Sequence, residues 1–337
     1  MNKSEAGMVQ RIVLIGHGNI SEKYVAAIAR FPERVKLVGV VGRNAEKCQV
    51  FAEKHGISVY GTSIANVAER SEATAAVICT PNALHYEGVM EASRLGLHCL
   101  CEKPLDISPD RQREMVQSCR DHNVRLGVSY MRRFIPHIRE LKSWIDSGKL
   151  GRIMVVDAVI KHFRPKEYYD SWHGTWKLDG GGPFMQQGSH LLDMVLWLAG
   201  GYREVLTART FRAYHDIETE DHGYAVIRYG NGAVGMIEAS TASAGMKKEY
   251  VEITGTRGSM KADYGGIIGF HVPGEEKPDW PAAKPNDELF VDLLEDFLAA
   301  IAEEREPFIS GEAAALSTEL ALAIYAKAGP PVTLDTR

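Results

Sequence analysis

The sequence predicts an α/β protein of two domains: a doubly wound parallel sheet over residues 1–125 and, over residues 126–337, an α/β domain with a large, mostly antiparallel open sheet. Three observations predict this architecture. Strand and helix patterns alternate in the first part, strand patterns follow one another in the second, and 337 residues are enough for two domains.

In the first domain, short β-branched runs alternate with helical patterns. Strands are predicted at 11–15, 35–41, 75–79, 97–101 and 125–129, and helices at 20–30, near Glu69 or over 83–95, and at 109–122. Such an alternation predicts parallel strands joined by right-handed crossovers.

In the second domain, strand patterns recur almost without helices between them. They cover residues 153–161, 204–210, 223–229, 233–240, 249–255 and 259–263. Asn231-Gly232 predicts a type I′ hairpin, because both residues tolerate positive φ. Helices at 287–303 and 311–328 are expected to close this domain.

Composition excludes several classes of function. A net charge of -5 without a basic patch argues against nucleic acid, and the longest apolar stretch, near 191–199, is interrupted by Asp193. The leader is polar, so neither secretion nor a membrane span is expected. Five cysteines, an odd number, favour a reducing compartment and a cytoplasmic protein.

A glycine turn follows the first predicted strand. In Gly16-x-Gly18-x-x-Ser21 the glycines allow a close approach to a pyrophosphate, and the helix beginning at Asn19 and Ile20 presents free N–H groups to it. The third position is Ser rather than Gly or Ala. The context predicts a dinucleotide site; the alternative is an ordinary β-to-α turn.

The second predicted strand ends at Gly42-Arg43, where NAD-binding proteins commonly carry a carboxylate for the ribose. A guanidinium there can pair with a 2′-phosphate. We therefore expect NADP, with NAD as the alternative, and a solvated surface Arg43 as the structural alternative.

Further motifs resemble the glucose-fructose oxidoreductase and myo-inositol dehydrogenase (Gfo/Idh/MocA) family. They are 78–85 (ICTPNALH), 96–104 (GLHCLCEKP), the segment 180–193 that carries Gly188-x-His190-x-x-Asp193, and Asn231-Gly232. The resemblance covers nearly the whole chain. It implies a Rossmann domain followed by an α/β domain whose open sheet shapes the substrate pocket and joins subunits into a homodimer or homotetramer.

By the same resemblance, Thr80, Pro81, Asn82 and His85 lie beside the nicotinamide, and Glu102 precedes the lysine that stands between cofactor and substrate. That lysine is Lys103, whose ammonium suits an alcohol oxygen changing its charge. The alternatives are a surface lysine before a proline turn and a helix-start histidine at position 85.

His190 matches the family's proton-transfer histidine, and imidazole titrates near neutrality. The alternative is a core histidine. Asp193 lies on the same side of the helix, where it either orients the site or caps a buried network. Many family members carry Asp four residues before this histidine, whereas here it is Gln186, which cannot act as a base. Gln186 either binds a substrate hydroxyl or amide, or marks a non-catalytic relic.

An aromatic and basic stretch precedes the glycines. Aromatic faces stack on sugar rings and basic groups bind hydroxyls or an acidic group, which makes this stretch a candidate substrate wall. Its candidate residues are Arg164, Tyr169, Trp172 and Trp176. The alternative for either Trp is packing between the domains. No zinc-type spacing occurs, and no metal is expected.

The leading hypothesis is an NAD(P)-dependent oxidoreductase that acts on a sugar, polyol or sugar nucleotide, with His190 as base and Lys103 polarising the reacting oxygen. The family also contains trans-dihydrodiol dehydrogenases and biliverdin reductases, so a non-sugar substrate is an alternative. A catalytically silent NADP-binding sensor is a third hypothesis, favoured only by Gln186.

Overall fold

The computed structural model describes residues 9–245 and 247–334. The chain divides into two compact units, one of Met1–Met131 with Pro285–Ala315 and one of Arg132–Lys284 with Leu316–Arg337. The first division falls close to the predicted boundary at 125/126. Residues 285–315, by contrast, join the first unit although the sequence patterns placed them in the second domain.

The first unit contains a six-stranded parallel sheet. Its strands are β1 Gln10–Ile15, β2 Val35–Val41, β3 Val59–Gly61, β4 Ala75–Ile78, β5 His98–Cys101 and β6 Leu126–Val128, and its first helices are α1 Asn19–Ile28, α2 Ala45–His55, α3 Ile64–Ser71, α4 His85–Arg94 and α5 Pro109–Asp121. The strand order is β3-β2-β1-β4-β5-β6. The topology therefore reverses between β1 and β4, and ligands bind beyond the carboxyl ends of strands at such a point.

Burial agrees with this doubly wound topology. Ile12–Leu14 of β1 and all of β4 have no solvent exposure, as expected of parallel strands covered on both faces. The sequence analysis did not single out α2, whose ends have local causes: the Asn44 side chain accepts the Lys47 N–H at 2.9 Å, and Gly56 ends the helix with φ 66°.

The second unit contains an eight-stranded mixed sheet. Its elements begin with α6 Pro136–Asp146, β7 Ile153–Lys161, α7 Gly188–Ala199, β8 Tyr202–Arg212, β9 His222–Tyr229, β10 Val234–Ser240, β11 Lys248–Gly255, β12 Ser259–Asp263 and β13 Ile267–His271; α8 Asn286–Ala302, α9 Gly311–Ala328 and β14 Val332–Thr333 complete the chain's described elements. The order is β13-β12-β11-β7-β10-β9-β8-β14, with only β7–β10 and β8–β14 parallel. The predicted fold class is confirmed.

One face of this sheet is buried. Along β9 the side chains alternate, with Ala225 and Ile227 inside and Tyr224 and Arg228 exposed, as in a sheet packed on one side only. The helix α7 packs on β7, and a Cβ on Gly188 would lie 3.7 Å from the Ala239 methyl of β10. The buried face is therefore the one that α7 covers.

The turn between β9 and β10 differs from the predicted type I′ turn. Gly232 has φ 90°, but Asn231 does not have a positive φ. Tyr229 and Ala233 are joined by a backbone hydrogen bond of 2.8 Å across a three-residue loop. The hairpin prediction was right and the turn type was wrong, because Gly230 adds a residue whose backbone packs against Gly200, where a Cβ would lie 1.9 Å from a carbonyl.

The helix α8 belongs to the first unit because its contacts lie there. The Phe290 ring meets the Tyr24 ring of α1 edge-on at 5.3 Å, and Asp287 pairs with Lys23 at 2.8 Å. Beyond α8, Ser310 forms an antiparallel bridge with Gly127 of β6. Sequence order suggested the second domain, but these long-range contacts decide otherwise. Within the described ranges, no helix is long and apolar enough to cross a membrane.

Candidate active site

The glycine turn lies at the carboxyl end of β1, beside the end of β4. Gly16 has φ 107°, and a Cβ there would lie 2.7 Å from the Cys79 carbonyl, so the position requires glycine. A Cβ on Gly18 would meet nothing within 4 Å, which leaves open space before the N-terminus of α1. Ser21, at the third position, is buried and donates to the Gly16 carbonyl at 3.1 Å. The hydroxyl explains why Ser is accepted there.

These features fit a dinucleotide. Asn19 and Ile20 begin the first turn of α1. Backbone N–H groups in the first turn of a helix have no partner within the helix and can bind an anionic group such as a pyrophosphate. Across the switch point, the hydroxyl of Thr80 is buried and has no hydrogen-bond partner among residues 9–245 and 247–334. An orphaned hydroxyl and an open cradle at the same edge of the sheet match a polar cofactor.

The carboxyl end of β2 carries no carboxylate. A Cβ on Gly42 would lie 2.5 Å from the His17 ring, so a larger residue requires that ring to move. Arg43 is exposed, and none of the described carboxylates lies within ion-pair distance of it. The next residue, Asn44, is engaged in capping α2. Arg43 is thus the charged group available at this corner.

His85 lies inside the first unit rather than on a ligand-facing surface. Its side chain has no exposure, and its ring nitrogens lie 2.8 Å from the Pro104 carbonyl and 2.9 Å from the Thr80 carbonyl. Burial lowers the pKa of the His85 imidazole. The ring therefore joins the Thr80 and Pro104 loops, and its place beside the nicotinamide stays a prediction. Pro81 and Asn82 follow Thr80 at the start of a short 3-10 turn, with Asn82 buried.

Glu102 and Lys103 directly follow β5. The Glu102 carboxyl is buried, accepts the Tyr24 hydroxyl at 2.7 Å and accepts the Lys103 backbone N–H at 3.2 Å. Burial raises its pKa, and the nearby Lys103 ammonium opposes that shift. Lys103 itself is half-buried between buried neighbours. The ammonium is thus placed at the same edge of the sheet as the glycine turn.

In the second unit, a buried glutamate fixes the glycine segment before α7. Glu220 accepts the Tyr325 hydroxyl at 2.8 Å and the backbone N–H of Gly182 at 3.1 Å. A Cβ on Gly181 would lie 2.2 Å from the Tyr325 hydroxyl, and one on Gly182 would lie 1.8 Å from the Glu220 carbonyl. The glycines at 181 and 182 are therefore required by this packing.

Burial raises the pKa of Glu220 to about 7, above its ordinary 4.5. The folded protein then binds more protons at this site than the unfolded chain, so the free energy of unfolding falls as pH rises from 4.5 towards 7, by about 3 kcal/mol. Glu220→Gln has no carboxyl group to ionise at this position, so its free energy of unfolding does not fall for this reason. We expect the variant's stability relative to the parent to increase across that window, measured by urea unfolding at several pH values.

The control for Glu220→Gln is Glu204→Gln, an exposed glutamate of the same unit paired with Arg228. Its stability relative to the parent should stay nearly constant over the same pH range. A constant difference for Glu220→Gln as well would show that Glu220 does not titrate in this window.

His190 lies in the first turn of α7. Its side chain is partly exposed, as is that of Trp197, whereas the other residues of α7 are buried. A Cβ on Gly188 would lie 2.5 Å from the Pro183 carbonyl, so the turn into α7 requires glycine. Gln186 is 7% exposed and its backbone N–H bonds to the Gly182 carbonyl at 2.9 Å. The glycine segment thus determines where both side chains lie.

The carboxylate of Asp193, for which the sequence left orienting the site and capping a buried network open, is bound by an arginine. It is 1% exposed, and both of its oxygens accept from Arg133, at 2.8 Å and 2.5 Å. This bidentate buried ion pair joins α7 to the chain before α6. Of the two sequence-based interpretations, the structure supports the buried network.

The aromatic stretch forms a stack. The Arg164 guanidinium lies 4.8 Å from the Tyr168 ring centroid, and Tyr168 stacks on His173 at 4.1 Å. The Trp172 ring also contacts His173, at 3.9 Å between centroids and tilted by 36°. Arg164 and Trp172 therefore belong to one continuous surface.

Tyr169 meets the Tyr168 ring edge-on at 5.1 Å, and Trp176 contacts a ring that is not part of the stack. The Tyr169 hydroxyl donates to Thr241 at 2.8 Å, and Trp176, 39% exposed, meets the Tyr325 ring edge-on at 5.3 Å. Both therefore have structural partners within the second unit. Among the described residues, no cluster of three or more His, Cys, Asp or Glu side chains suits a metal ion.

Sequence reasoning missed Arg133, Glu220 and Tyr325. The one available signal was the adjacent acid pair Glu220-Asp221 before a strand. A carboxylate that is buried at the start of a strand needs hydrogen-bond or ion-pair partners. Arg133 and Tyr325 carry no such signal, because their partners are about 60 and 105 residues away.

The fold, the glycine turn of the first unit and the residues around the glycine segment of the second unit define an oxidoreductase that binds a nicotinamide dinucleotide. Residues 10–130 match the oxidoreductase family with an NAD-binding Rossmann fold, and residues 138–261 match the GFO/IDH/MocA C-terminal domain. The chain belongs to the GFO/IDH/MocA family, which confirms the resemblance found in the sequence.

The individual relatives have low sequence identity to this chain, but each match covers three quarters or more of both chains. The uncharacterized oxidoreductase YrbE of Bacillus subtilis is 27% identical over 265 residues, 76% of this chain and 75% of that protein. Inositol 2-dehydrogenase of Rhizobium meliloti is 24% identical over 316 residues, 90% and 92% of the two chains. The WlbA dehydrogenase of Bordetella pertussis, solved in complex with NADH and UDP-GlcNAcA, is 29% identical with a TM-score of 0.84, and the match covers 97% and 100% of the chains. These dehydrogenases support action on alcohols.

Proposed function

We propose that this protein is a dehydrogenase that transfers hydride between a nicotinamide dinucleotide and a hydroxyl or carbonyl of a sugar, polyol or sugar nucleotide. The observation that carries the proposal is His190, a partly exposed imidazole in the first turn of a helix whose other residues, apart from Trp197, are buried. Of the relatives named above, inositol 2-dehydrogenase is named for a polyol, and the WlbA dehydrogenase was solved with UDP-GlcNAcA.

The proposed chemistry divides between two residues. When bound, the nicotinamide supplies or accepts the hydride. His190 takes the hydroxyl proton during oxidation and returns it during reduction, and Lys103 stabilises the oxygen as its charge changes. Glu102, buried behind Lys103, holds the backbone of that lysine.

Gln186 takes the position where many family members carry Asp, and it contributes no charge. We propose that its amide binds a substrate hydroxyl or amide. The same role of lining the substrate site is proposed for Arg164 and Trp172, which share the aromatic stack. That Tyr169 and Trp176 line the substrate site stays a prediction.

Turnover of the purified protein with NAD and with NADP tests this function. The panel should contain sugars, inositols and sugar nucleotides, and the absorbance of the reduced nicotinamide reports turnover. Oxidation of at least one of them that disappears in His190→Ala supports the proposal. Tight NADPH binding without turnover of any of them indicates a nucleotide sensor instead.

We propose that the cofactor is NADP(H) in preference to NAD(H), on the basis of Arg43. Arg43→Ala should weaken NADP(H) binding tenfold or more, since a charge-assisted pair contributes roughly 1.5 to 3 kcal/mol, and should leave NAD(H) binding unchanged. Titration of cofactor fluorescence measures both. The control is Arg94→Ala, in the last turn of α4. Equal affinity of the parent for both cofactors contradicts the preference.

We also propose a homodimer or homotetramer formed through the exposed face of the second unit's sheet. Val155, Val234 and Met236 lie on that face, on paired strands, and are 37%, 36% and 40% exposed. Contiguous apolar side chains of this kind usually pack against another surface. Light scattering at micromolar concentration should give at least twice the 37.2 kDa of the chain, and Met236→Lys should lower it. A monomeric mass for the parent contradicts this assembly.

A further inference from the structure

Positive charge accumulates on the second unit near the carboxyl end of β7. His162 follows β7 directly, and three cations act on it: Lys247, Arg132 and Arg164. Burial together with these charges lowers the pKa of the His162 imidazole to about 3, so the ring is neutral. The His162 ring therefore lies near three cations and beside one carboxylate, that of Glu249.

Only one of the three cations has a carboxylate partner. The Glu249 carboxylate contacts the Arg132 guanidinium and lies 3.0 Å from His162 Nε2, and the side chains of Glu249 and Arg132 are 7% and 9% exposed. Glu249 pairs with Ile160 across β7 and β11, on the face of the sheet that α7 covers. Within residues 9–245 and 247–334, Arg132 is the cation within ion-pair distance of this carboxylate.

Arg164 and Lys247 lack such a partner. Their recorded side-chain contacts are with aromatic rings: Arg164 stacks on Tyr168, and the Lys247 ammonium lies 5.7 Å from the Tyr264 ring centroid. The Nε of Arg164 is buried without a hydrogen-bond acceptor, and within residues 9–245 and 247–334 no carboxylate lies within 4 Å of either cation. A buried guanidinium N–H without an acceptor is costly unless a ligand supplies one.

The position of Arg164 is fixed by its backbone. Its N–H donates to the Thr241 carbonyl at 3.0 Å, and its carbonyl lies 2.9 Å from His215 Nε2. The other ring nitrogen of His215 lies 3.0 Å from Asp221, whose carboxylate also accepts the backbone N–H of Tyr214 at 2.8 Å. These bonds fix the backbone from which the Arg164 side chain extends, and the contact with the Tyr168 ring, at 4.8 Å from its centroid, orients the guanidinium.

We propose that Arg164 and Lys247, together with His162, form a subsite for an anionic group of the substrate, a carboxylate or a phosphate. The proposal rests on the proposed dehydrogenase function and narrows its substrates to sugars that carry a negative charge. Arg164 supplies a planar fork of donors, which suits either oxyanion, and Lys247 adds charge from the exposed side. Tyr168 and His173 extend an aromatic surface from the same guanidinium.

Direct binding tests this subsite independently of turnover. The protein is first saturated with NADH or NADPH, whichever it binds more tightly. Calorimetry then measures its affinity for glucose, glucuronate, glucose 6-phosphate and UDP-glucose. We expect at least one charged probe to bind tenfold or more tightly than glucose. Glucuronate as the tighter ligand identifies a carboxylate, and either phosphorylated probe identifies a phosphate. If no charged probe binds more tightly than glucose, the proposal is overturned.

Variants then assign the effect to residues. Arg164→Gln should lower the ratio of charged to neutral affinity at least tenfold, because a charge-assisted contact is lost. Lys247→Gln, an exposed substitution that should not disturb folding, should lower it severalfold. The control is Arg203→Gln, an exposed arginine of β8 that donates to the Gly230 carbonyl, and it should keep the parent ratio. A ratio that survives both Arg164→Gln and Lys247→Gln overturns the assignment.

The two proposals fail in different ways. Binding of a charged probe without oxidation of any compound leaves the subsite in place and removes the dehydrogenase proposal. Oxidation of neutral sugars in preference to charged ones keeps the dehydrogenase and removes the subsite.

Discussion

His190→Ala should lower turnover by about 10²- to 10⁴-fold, because a positioned general base typically contributes that much to the rate. Cofactor affinity should change little, because the role proposed for His190 is proton transfer rather than cofactor binding. Lys103→Ala should lower turnover similarly. Steady-state rates with the best substrate of the panel, and fluorescence titration of the cofactor, measure the two quantities.

The control for His190→Ala is His271→Ala, an exposed histidine at the end of β13. It should keep the parent's turnover. A His190→Ala variant within threefold of the parent would mean that another group handles the proton.

Gln186→Asp gives the same hypothesis a second readout. A carboxylate four residues before His190 favours the protonated imidazole, so the basic form needed for oxidation appears at higher pH. The pH–rate profile should therefore move upward. An unmoved profile would separate Gln186 from the proton-transfer step.

Asp193→Asn should lower the free energy of unfolding by about 3 to 5 kcal/mol. The substitution leaves the Arg133 guanidinium, whose side chain is 7% exposed, as a buried charge without its counterion. Urea unfolding of the purified variant measures the loss. The matched control is Glu204→Gln, whose partner Arg228 is 47% exposed, and that pair should contribute no more than about 1 kcal/mol.

A double variant separates the lost pair from the buried charge. Arg133→Met with Asp193→Leu removes both charges, so most of the stability lost in Asp193→Asn should return. Asp193→Asn within about 1 kcal/mol of the parent would contradict the view that this ion pair holds α7 in place.

Local sequence signals predicted the first unit well. The strand at 35–41 and the glycine turn after β1 were both identified, because β-branched runs and glycines at tight turns act through the backbone of neighbouring residues. The turn after Tyr229 was predicted less well. Its extra residue, Gly230, depends on a carbonyl of Gly200, which lies 30 positions earlier in the sequence.

The candidate site shows the same limit. The sequence identified Lys103 and His190 through motifs, and their roles stay predictions. The sequence could not show that the ring nitrogens of His85 lie beside two backbone carbonyls, or that the Asp193 carboxylate accepts hydrogen bonds from Arg133. The type of a polar side chain shows what it can bind, whereas its partner depends on which distant residue the fold brings within 3 Å.

The sequence by itself determined the fold class and the glycine turn after β1, because each follows from periodicity or from residues next to one another in the chain, and its motifs were enough for the resemblance to the family. Only the tertiary structure decided that α8 belongs to the first unit and that Glu220 and Tyr325 fix the glycine segment. It also decided that Arg164 has a buried N–H with no acceptor among the residues that the structure describes. The physical reason is that burial, and with it the cost of an unpaired charge or an unmade hydrogen bond, arises only once residues far apart in the chain are packed together.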